Sequence, residues 1–284
     1  MNNQKIVVAT DSTAYIPEAA LSEDIPVIPL WLIWGDERFR DGVDIEPAAF
    51  YRRLQDSKVF PTTSQPSAGE FMDFFRQLGA KADGIVGVFL SSKLSGTIPN
   101  AQAAQTQLPD LAIQIVDSHS TSMGLGFCAL AAARAASAGK SLEEVVAVAE
   151  EVRDRMHLIF AVDTLEFLHR GGRIGGAKRL LGTALNIKPL LHLKDGSVEP
   201  LSQVRTKHKA IVRMLEIAEE RLDGKKMAEV AVLDINDPHE GDIVAKQVQE
   251  RFDVPTVYRT TVSPVIGAHA GPGTVGICFY PALN

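Results

Sequence analysis

The chain has 284 residues, 45% of them hydrophobic and 23% charged, with a net charge of −6 and a pI near 5.7. That length holds two domains at roughly 150 residues each, or one large α/β domain, and the ordinary apolar content excludes disordered and fibrous classes. No cluster of five or more Lys or Arg occurs, so broad electrostatic attraction to nucleic acid is unsupported, and no apolar run approaches the ~20 residues that span a bilayer.

The first predicted element is a buried strand, Lys5 to Ala9, which ends in Thr10-Asp11-Ser12-Thr13. Residues Met1 to Val8 lack a charged-then-apolar signal pattern, which predicts a cytoplasmic protein. The apolar segment Pro26 to Trp34, followed by Arg40-Asp41-Gly42, reads as an extra strand and a turn, an excursion from the sheet. Ser67-Ala68-Gly69-Glu70 is a capping box opening a helix through about Leu78, with Phe71, Phe74, Phe75 and Leu78 on one face. Two further apolar runs, Gly84 to Leu90 and Ala112 to Val116, lead into Ser91-Ser92 and Asp117-Ser118. Three buried strands ending in Asp or Ser and separated by helices predict a parallel sheet with polar groups at its carboxyl edge, where ligands of open α/β sheets bind. Ala129 to Ala138 reads as a tightly packed helix, and the Ser141 to Glu144 capping box opens another through about Arg155.

The pattern changes after Arg155. His157 to Val162 reads as a strand, and Leu190 to Leu193 with Val198 to Val204 form a hairpin about Lys194-Asp195-Gly196. A helix from Lys207 to Leu222, a strand from Val230 to Asp234, a helix from about His239 to Arg251, and strands Thr256 to Arg259 and Thr274 to Tyr280 follow. The expected fold class is therefore α/β in two domains, residues 1–157 with a mainly parallel sheet flanked by helices and residues 158–284 with a mixed sheet. Cys128 and Cys278 read as buried free thiols of a reducing compartment.

Several polar motifs interrupt this scaffold. Pro61-Thr62-Thr63-Ser64-Gln65-Pro66-Ser67 puts hydroxyls before a helix N-terminus, which suits an anion; capping by Ser67 alone does not explain Thr63 and Ser64. Ser91-Ser92-Lys93-Leu94-Ser95-Gly96-Thr97 is either a second hydroxyl site, with Gly96 admitting a ligand to the backbone, or an ordinary loop and cap. It is not a nucleophile elbow, since Gly-x-Ser-x-Gly is absent. The loop from His169 to Lys178 carries Arg170 and Arg173 among glycines but misses the P-loop spacing; it suits a phosphate or carboxylate, or is a solvated basic turn. Gly124-Leu125-Gly126-Phe127-Cys128-Ala129 has dinucleotide spacing in the wrong context, so helix packing is the better reading. No His, Cys, Asp or Glu set has metal-ligand spacing. Ser263 to Gly273 holds three glycines, two prolines and His269, a composition unsuited to a regular helix or strand. His269 either touches an anionic or reacting group, or it caps a short helix or pairs with a carboxylate.

Together, Thr10-Asp11-Ser12, Thr63 to Ser67, Ser92 to Thr97, Asp117-Ser118, Arg170 to Ile174 and Ser263 to Gly273 resemble the DegV family in order and spacing, across almost the whole chain. The resemblance implies two α/β domains holding a long-chain fatty acid in an apolar tunnel between or beside them. It further implies a non-catalytic subunit of a bacterial fatty acid kinase, which presents the acid to a separate ATP-binding kinase subunit that makes acyl-phosphate for phospholipid synthesis. Carried over by motif, Thr63, Ser95 and His269 hold the carboxylate, Ser64, Gly96, Thr97 and Gly267 build the supporting loops, and Arg173 and Arg205 face the partner and its phosphate. The bound fatty acid is then the ligand, with no cofactor and no metal, and lipid exchange entails transient membrane contact. Two other classes stay open: a serine hydrolase or acyltransferase using Ser95 and His269 with Asp11 or Asp117 as orienting acid, and a phosphate-ligand regulator built on the arginine-glycine loop.

Overall fold

A computed structural model of the chain describes residues 5–182 and 187–282. In the first half lie β1 (Ile6–Asp11), β2 (Val27–Ile28), β3 (Trp31–Trp34), β4 (Glu37–Arg40), α1 (Pro47–Asp56), β5 (Thr62–Ser64), α2 (Ala68–Gly79), β6 (Gly84–Phe89), α3 (Thr97–Thr106), β7 (Ile113–Asp117), α4 (Ser122–Ser137) and α5 (Leu142–Arg155). The second half contains β8 (His157–Ala161), α6 (Glu166–Arg170), β9 (Lys188–Lys194), β10 (Ser197–Val204), α7 (Lys207–Leu222), β11 (Met227–Asp234), α8 (Pro238–Phe252), β12 (Tyr258–Thr261), α9 (Pro264–Ala270) and β13 (Val275–Pro281).

The first half builds a parallel sheet in the order β2-β1-β6-β7. Its strands are apolar on both faces because helices cover both. Ile85 and Phe89 point to a layer with Phe71 and Phe75 of α2 and Ala101 and Ala104 of α3, while Val86 and Val88 face α4 and α5. Both capping boxes form: the Ser67 and Ser141 hydroxyls accept from the backbones of Glu70 and Glu144, whose carboxylates accept in return from the two serine N–H groups.

The second half builds a mixed sheet, β10-β9-β8-β13-β11-β12, in which only β11 and β12 are parallel. Alternation assigns its two faces. Ile159, Val232, Ile277 and Phe279 pack with α7 and α8 residues such as Ile211 and Val248, whereas Leu158, Phe160, Leu233 and Tyr280 join the core of the first half. Across that seam Arg134 of α4 pairs with Glu229 of β11 at 2.8 and 2.9 Å, and Tyr280 donates to the same carboxylate at 2.6 Å. Among the described residues, no strand pairing crosses residue 156.

Three local expectations are corrected. The excursion is a three-stranded antiparallel sheet, β4-β3-β5, in which the Thr62–Ser64 hydroxyl motif forms an unforeseen strand beside Trp31–Ile33. Threonine at a half-exposed position fits a pleated edge as well as a loop. The Ser263 to Gly273 segment is not wholly irregular: α9 runs from Pro264 to Ala270, opened by Ser263 accepting from the Ile266 N–H and closed at Gly271 with φ +80°. Serine, then proline, then a terminal glycine are helix start and stop signals that the glycine content masked. The strand expected at Thr256–Arg259 pairs instead over Tyr258–Thr261.

Two carboxyls are buried at the carboxyl edge of the parallel sheet. Asp11 accepts from Leu90 N (2.7 Å) and Thr13 N (2.9 Å), and burial pushes its carboxyl up to about 6; Asp41 accepts from Ser12 Oγ (2.7 Å), and burial pushes it up to about 7. Both groups hold protons more tightly folded than unfolded, so their stabilising contribution is complete below the unfolded value of about 4 and is lost as pH rises through the folded values. An Asp41→Asn variant is expected to melt at a higher temperature than the natural protein at pH 8 and at the same temperature near pH 4. A lower melting temperature at pH 8 would mean that the ionised carboxylate stabilises the fold.

Candidate functional site

Between the two sheets lies a largely apolar cavity open to solvent at its mouth. One wall is the inner face of the mixed sheet, with Leu158, Phe160, Leu193, Val198, Leu233 and Gly276. The opposite wall comes from Leu30, Leu90 and Leu94 of the first half and from Val265 and Ile266 of α9. Gly276 stands opposite Leu233 on β11 and Phe160 on β8, so the sheet is bare of a side chain at the middle of this wall.

The polar groups gather where the halves meet. β5 presents Thr63, because the strand's pairing with Leu32 turns its side chains alternately. The last turn of α9 presents His269, whose Nε2 lies 2.8 Å from Thr63 Oγ1 across 206 positions of sequence. Ser95 sits just before α3, its hydroxyl 2.9 Å from that of Thr97. Arg173 follows the turn at Gly172 (φ +72°) and donates from Nε to the Leu94 carbonyl (3.0 Å) and from a terminal nitrogen to Gly171 (2.7 Å). Ser91 Oγ donates to the Gly196 carbonyl at 2.8 Å, tying the tip of the β9–β10 hairpin to the same loop as Ser95.

Burial, reinforced by the Arg173 charge, pushes the His269 imidazole down to about 4, so it is neutral at physiological pH. Its Nδ1 is buried with no hydrogen-bond partner among the described residues. Gly171 backs the ring so closely that an added Cβ would lie 2.1 Å from Nδ1. Among the described residues no carboxylate therefore orients the histidine. Asp11 is engaged by Thr13 and Leu90, and Asp117 by the N–H groups of Ser92 and His119. Among the described residues Ser95 bonds Thr97 and His269 bonds Thr63, and no hydrogen bond joins Ser95 to His269.

Of the residues singled out in the sequence, Thr63, Ser64, Ser95, Arg173 and His269 line the cavity, while Gly96, Thr97, Gly267 and Arg205 do not. Gly96 lies against the Gln65 amide, its hypothetical Cβ falling 2.9 Å from Gln65 Nε2, and Gly267 makes room for the Tyr51 hydroxyl. Arg205 is exposed beyond the end of β10 remote from the hairpin tip. In the arginine-glycine loop Gly175 and Gly176 lie against Val198 and Glu199 of β10, and the segment continues as a 3₁₀ turn, Gly175–Leu180. Gly124 and Gly126 lie inside α4 against Ser120 and Ile16, as helix packing requires. Gln65, Thr121 and Ser122 also line the cavity. The last two belong to a hydroxyl-rich run after β7 that repeats the strand-then-serine pattern of β6, and that repetition was the available signal.

A sequence profile described as "Uncharacterised protein, DegV family" matches residues 5–282. The chain belongs to the DegV family. A DegV domain-containing protein of Streptomyces coelicolor is 39% identical over 278 residues, spanning 97% of this chain and 98% of that one. Protein DegV of Bacillus subtilis is 33% identical over 276 residues, or 96% and 98% of the two chains. Among solved structures, a DegV family protein of Thermus thermophilus described by its fatty acid binding superposes with a TM-score of 0.91 at 34% identity, covering 98% of this chain and all (100%) of its own. A stearic acid-binding protein of Eubacterium ventriosum superposes at 0.88 with 26% identity and coverages of 96% and 97%. DegV-fold proteins thus bind fatty acids, and the cavity of this family member lies between its two larger sheets, with the polar groups supplied by β5, α9 and the loops at Ser95 and Arg173. Among the described residues, no group of three or more His, Cys, Asp or Glu could hold a metal, and no helix is long and apolar enough to cross a membrane.

Proposed function

We propose that this protein holds a long-chain fatty acid in the cavity and presents the carboxylate, held by Thr63, Ser95 and His269, to a separate ATP-dependent kinase subunit that forms the acyl-phosphate. The observation that carries this reading is an apolar cavity with its polar groups drawn from both halves of the chain, Thr63 and His269 being in contact at 2.8 Å. About fifteen methylenes at ~0.8 kcal/mol each give ~12 kcal/mol of gross burial, so the tail supplies most of the affinity and the head group decides orientation. A partnerless Nδ1 is less costly as a bare lone pair than as a buried N–H. On that ground the proton sits on Nε2 and His269 donates to Thr63, which leaves the threonine proton for a carboxylate oxygen. The carboxylate is compensated by neutral donors and keeps its nucleophilic charge.

On this reading the chain is no enzyme by itself. Phosphoryl transfer needs positioning and charge compensation, and Arg173 stands on the cavity wall where the phosphate of a partner would approach, with Arg205 as a more distant docking contact. The unit of function is a two-domain arrangement, 1–157 and 158–284, acting in the cytoplasm with transient contact at a membrane for lipid exchange. The two buried free cysteines fit a reducing compartment. Mixing the loaded protein with a bacterial fatty acid kinase ATP-binding subunit and ATP should yield acyl-phosphate, trapped as the hydroxamate. Formation of hydroxamate from an acyl ester by this chain alone would instead favour the acyltransferase reading.

A further inference from the structure

Six hydroxyl side chains line the cavity, and four have a partner within the chain. Thr63 pairs with His269 (2.8 Å), Ser95 with Thr97 (2.9 Å), and Ser64 and Thr274 donate to the carbonyls of Gln65 (3.2 Å) and Ala270 (3.1 Å). Thr121 and Ser122 differ. Both hydroxyls are buried with no hydrogen-bond partner among the described residues, in side chains whose residues are 8% and 1% exposed. They stand at the N-terminus of α4, a helix of 16 residues, where Thr121 occupies the N-cap position yet makes no side-chain cap bond. A threonine there ordinarily accepts from the first turn, and a buried hydroxyl that bonds nothing opposes folding. The missing partner is therefore to be sought in what fills the cavity.

We propose that Thr121 and Ser122 form a second polar subsite, for an oxygen substituent on the acyl chain, so that the protein prefers oxygenated long-chain acids to plain ones. This rests on the reading of the cavity as a fatty acid site. A chain hydroxyl can donate to one side chain and accept from the other, while a keto or epoxide oxygen can accept from both. The positive end of α4 favours such an acceptor. A methylene at the same place leaves both hydroxyls unsatisfied.

The test is calorimetric titration of delipidated protein with stearic acid and with a positional series of hydroxystearic acids. At one position or more the Kd is expected to fall about tenfold below that of stearic acid, the worth of one or two net hydrogen bonds, about 1.4 kcal/mol. In the near-isosteric Thr121→Val, Ser122→Ala variant the ratio between that hydroxy acid and stearic acid should collapse toward one. Thr121→Val alone, checked by its thermal melt, provides the same comparison if the pair folds poorly. A series in which no position improves on stearic acid, as when an ordered water satisfies the pair, overturns the inference. So does a gain that survives both variants. Failure of stearic acid itself to bind overturns the fatty acid reading, and the subsite with it.

Discussion

Replacing Gly276 with leucine is expected to weaken binding of a long-chain fatty acid by about fiftyfold, the loss of roughly three buried methylenes at ~0.8 kcal/mol each. Gly276 is flanked on β8 and β11 by Phe160 and Leu233, and all three line the cavity. Directly opposed residues of neighbouring strands share a face, so a side chain at 276 enters the space the acyl chain would fill. A Cβ alone would come within 2.9 Å of Phe160 Cβ and 2.8 Å of the Ile159 carbonyl, so the strand must shift or the wall must give. Acids short enough to end before Gly276 should lose much less affinity, which separates a blocked tunnel from a damaged fold. Unchanged affinity for palmitic and stearic acids in a variant of normal melting temperature would place the tail elsewhere.

The second large effect concerns the head group. His269→Ala should lower acyl-phosphate formation with the kinase subunit by about a hundredfold, the scale seen when a reacting group is mispositioned, because without the Nε2–H the Thr63 hydroxyl is no longer oriented to give its proton to the carboxylate. Lipid affinity should fall only severalfold, because the tail dominates it. The two readouts are independent: titration gives the Kd and hydroxamate trapping gives the rate. Equal losses in both would make the histidine a structural residue. Its pH profile adds a signature. Burial and the Arg173 charge hold the imidazole of the ligand-free protein near 4, so the ring should stay neutral on titration from neutral pH down to about 5. A ring that titrates near 6.5 in the delipidated protein would describe an exposed histidine instead.

Much of the scaffold was legible in the residues, because hydrophobic runs and capping boxes act locally. Ile6–Asp11, Gly84–Phe89 and Ile113–Asp117 form where continuous apolar runs predict strands, and Ser67 and Ser141 open helices as their Glu partners require. The failures involve short segments whose state depends on distant neighbours. Thr62–Ser64 becomes a strand only because Trp31–Ile33 lies beside it, and α9 is a seven-residue helix that cannot be stable without its packing between the halves. Thr63 and His269 could be singled out by type and context, yet their contact across 206 positions belongs to tertiary structure. Thr121 and Ser122 escaped for a different reason: hydroxyls after a strand end are usually caps, and only the folded cavity reveals that these two cap nothing.

The sequence reads Gly96 as admitting a ligand to the backbone and Gly267 as part of a supporting loop, and in the fold Gln65 and the Tyr51 hydroxyl stand where their Cβ atoms would be. Close approach by a neighbouring side chain and close approach by a ligand require the same missing Cβ, so composition could not distinguish them.

Occupancy of the cavity can be read by native mass spectrometry of the protein purified from bacterial cells without added lipid, followed by fragmentation of whatever is released. The purified protein is expected to retain one equivalent of a long-chain fatty acid, and Gly276→Leu protein to retain little of it. A retained nucleotide or phosphorylated metabolite, or a chain that comes out empty and binds no added fatty acid, would contradict the fatty acid reading.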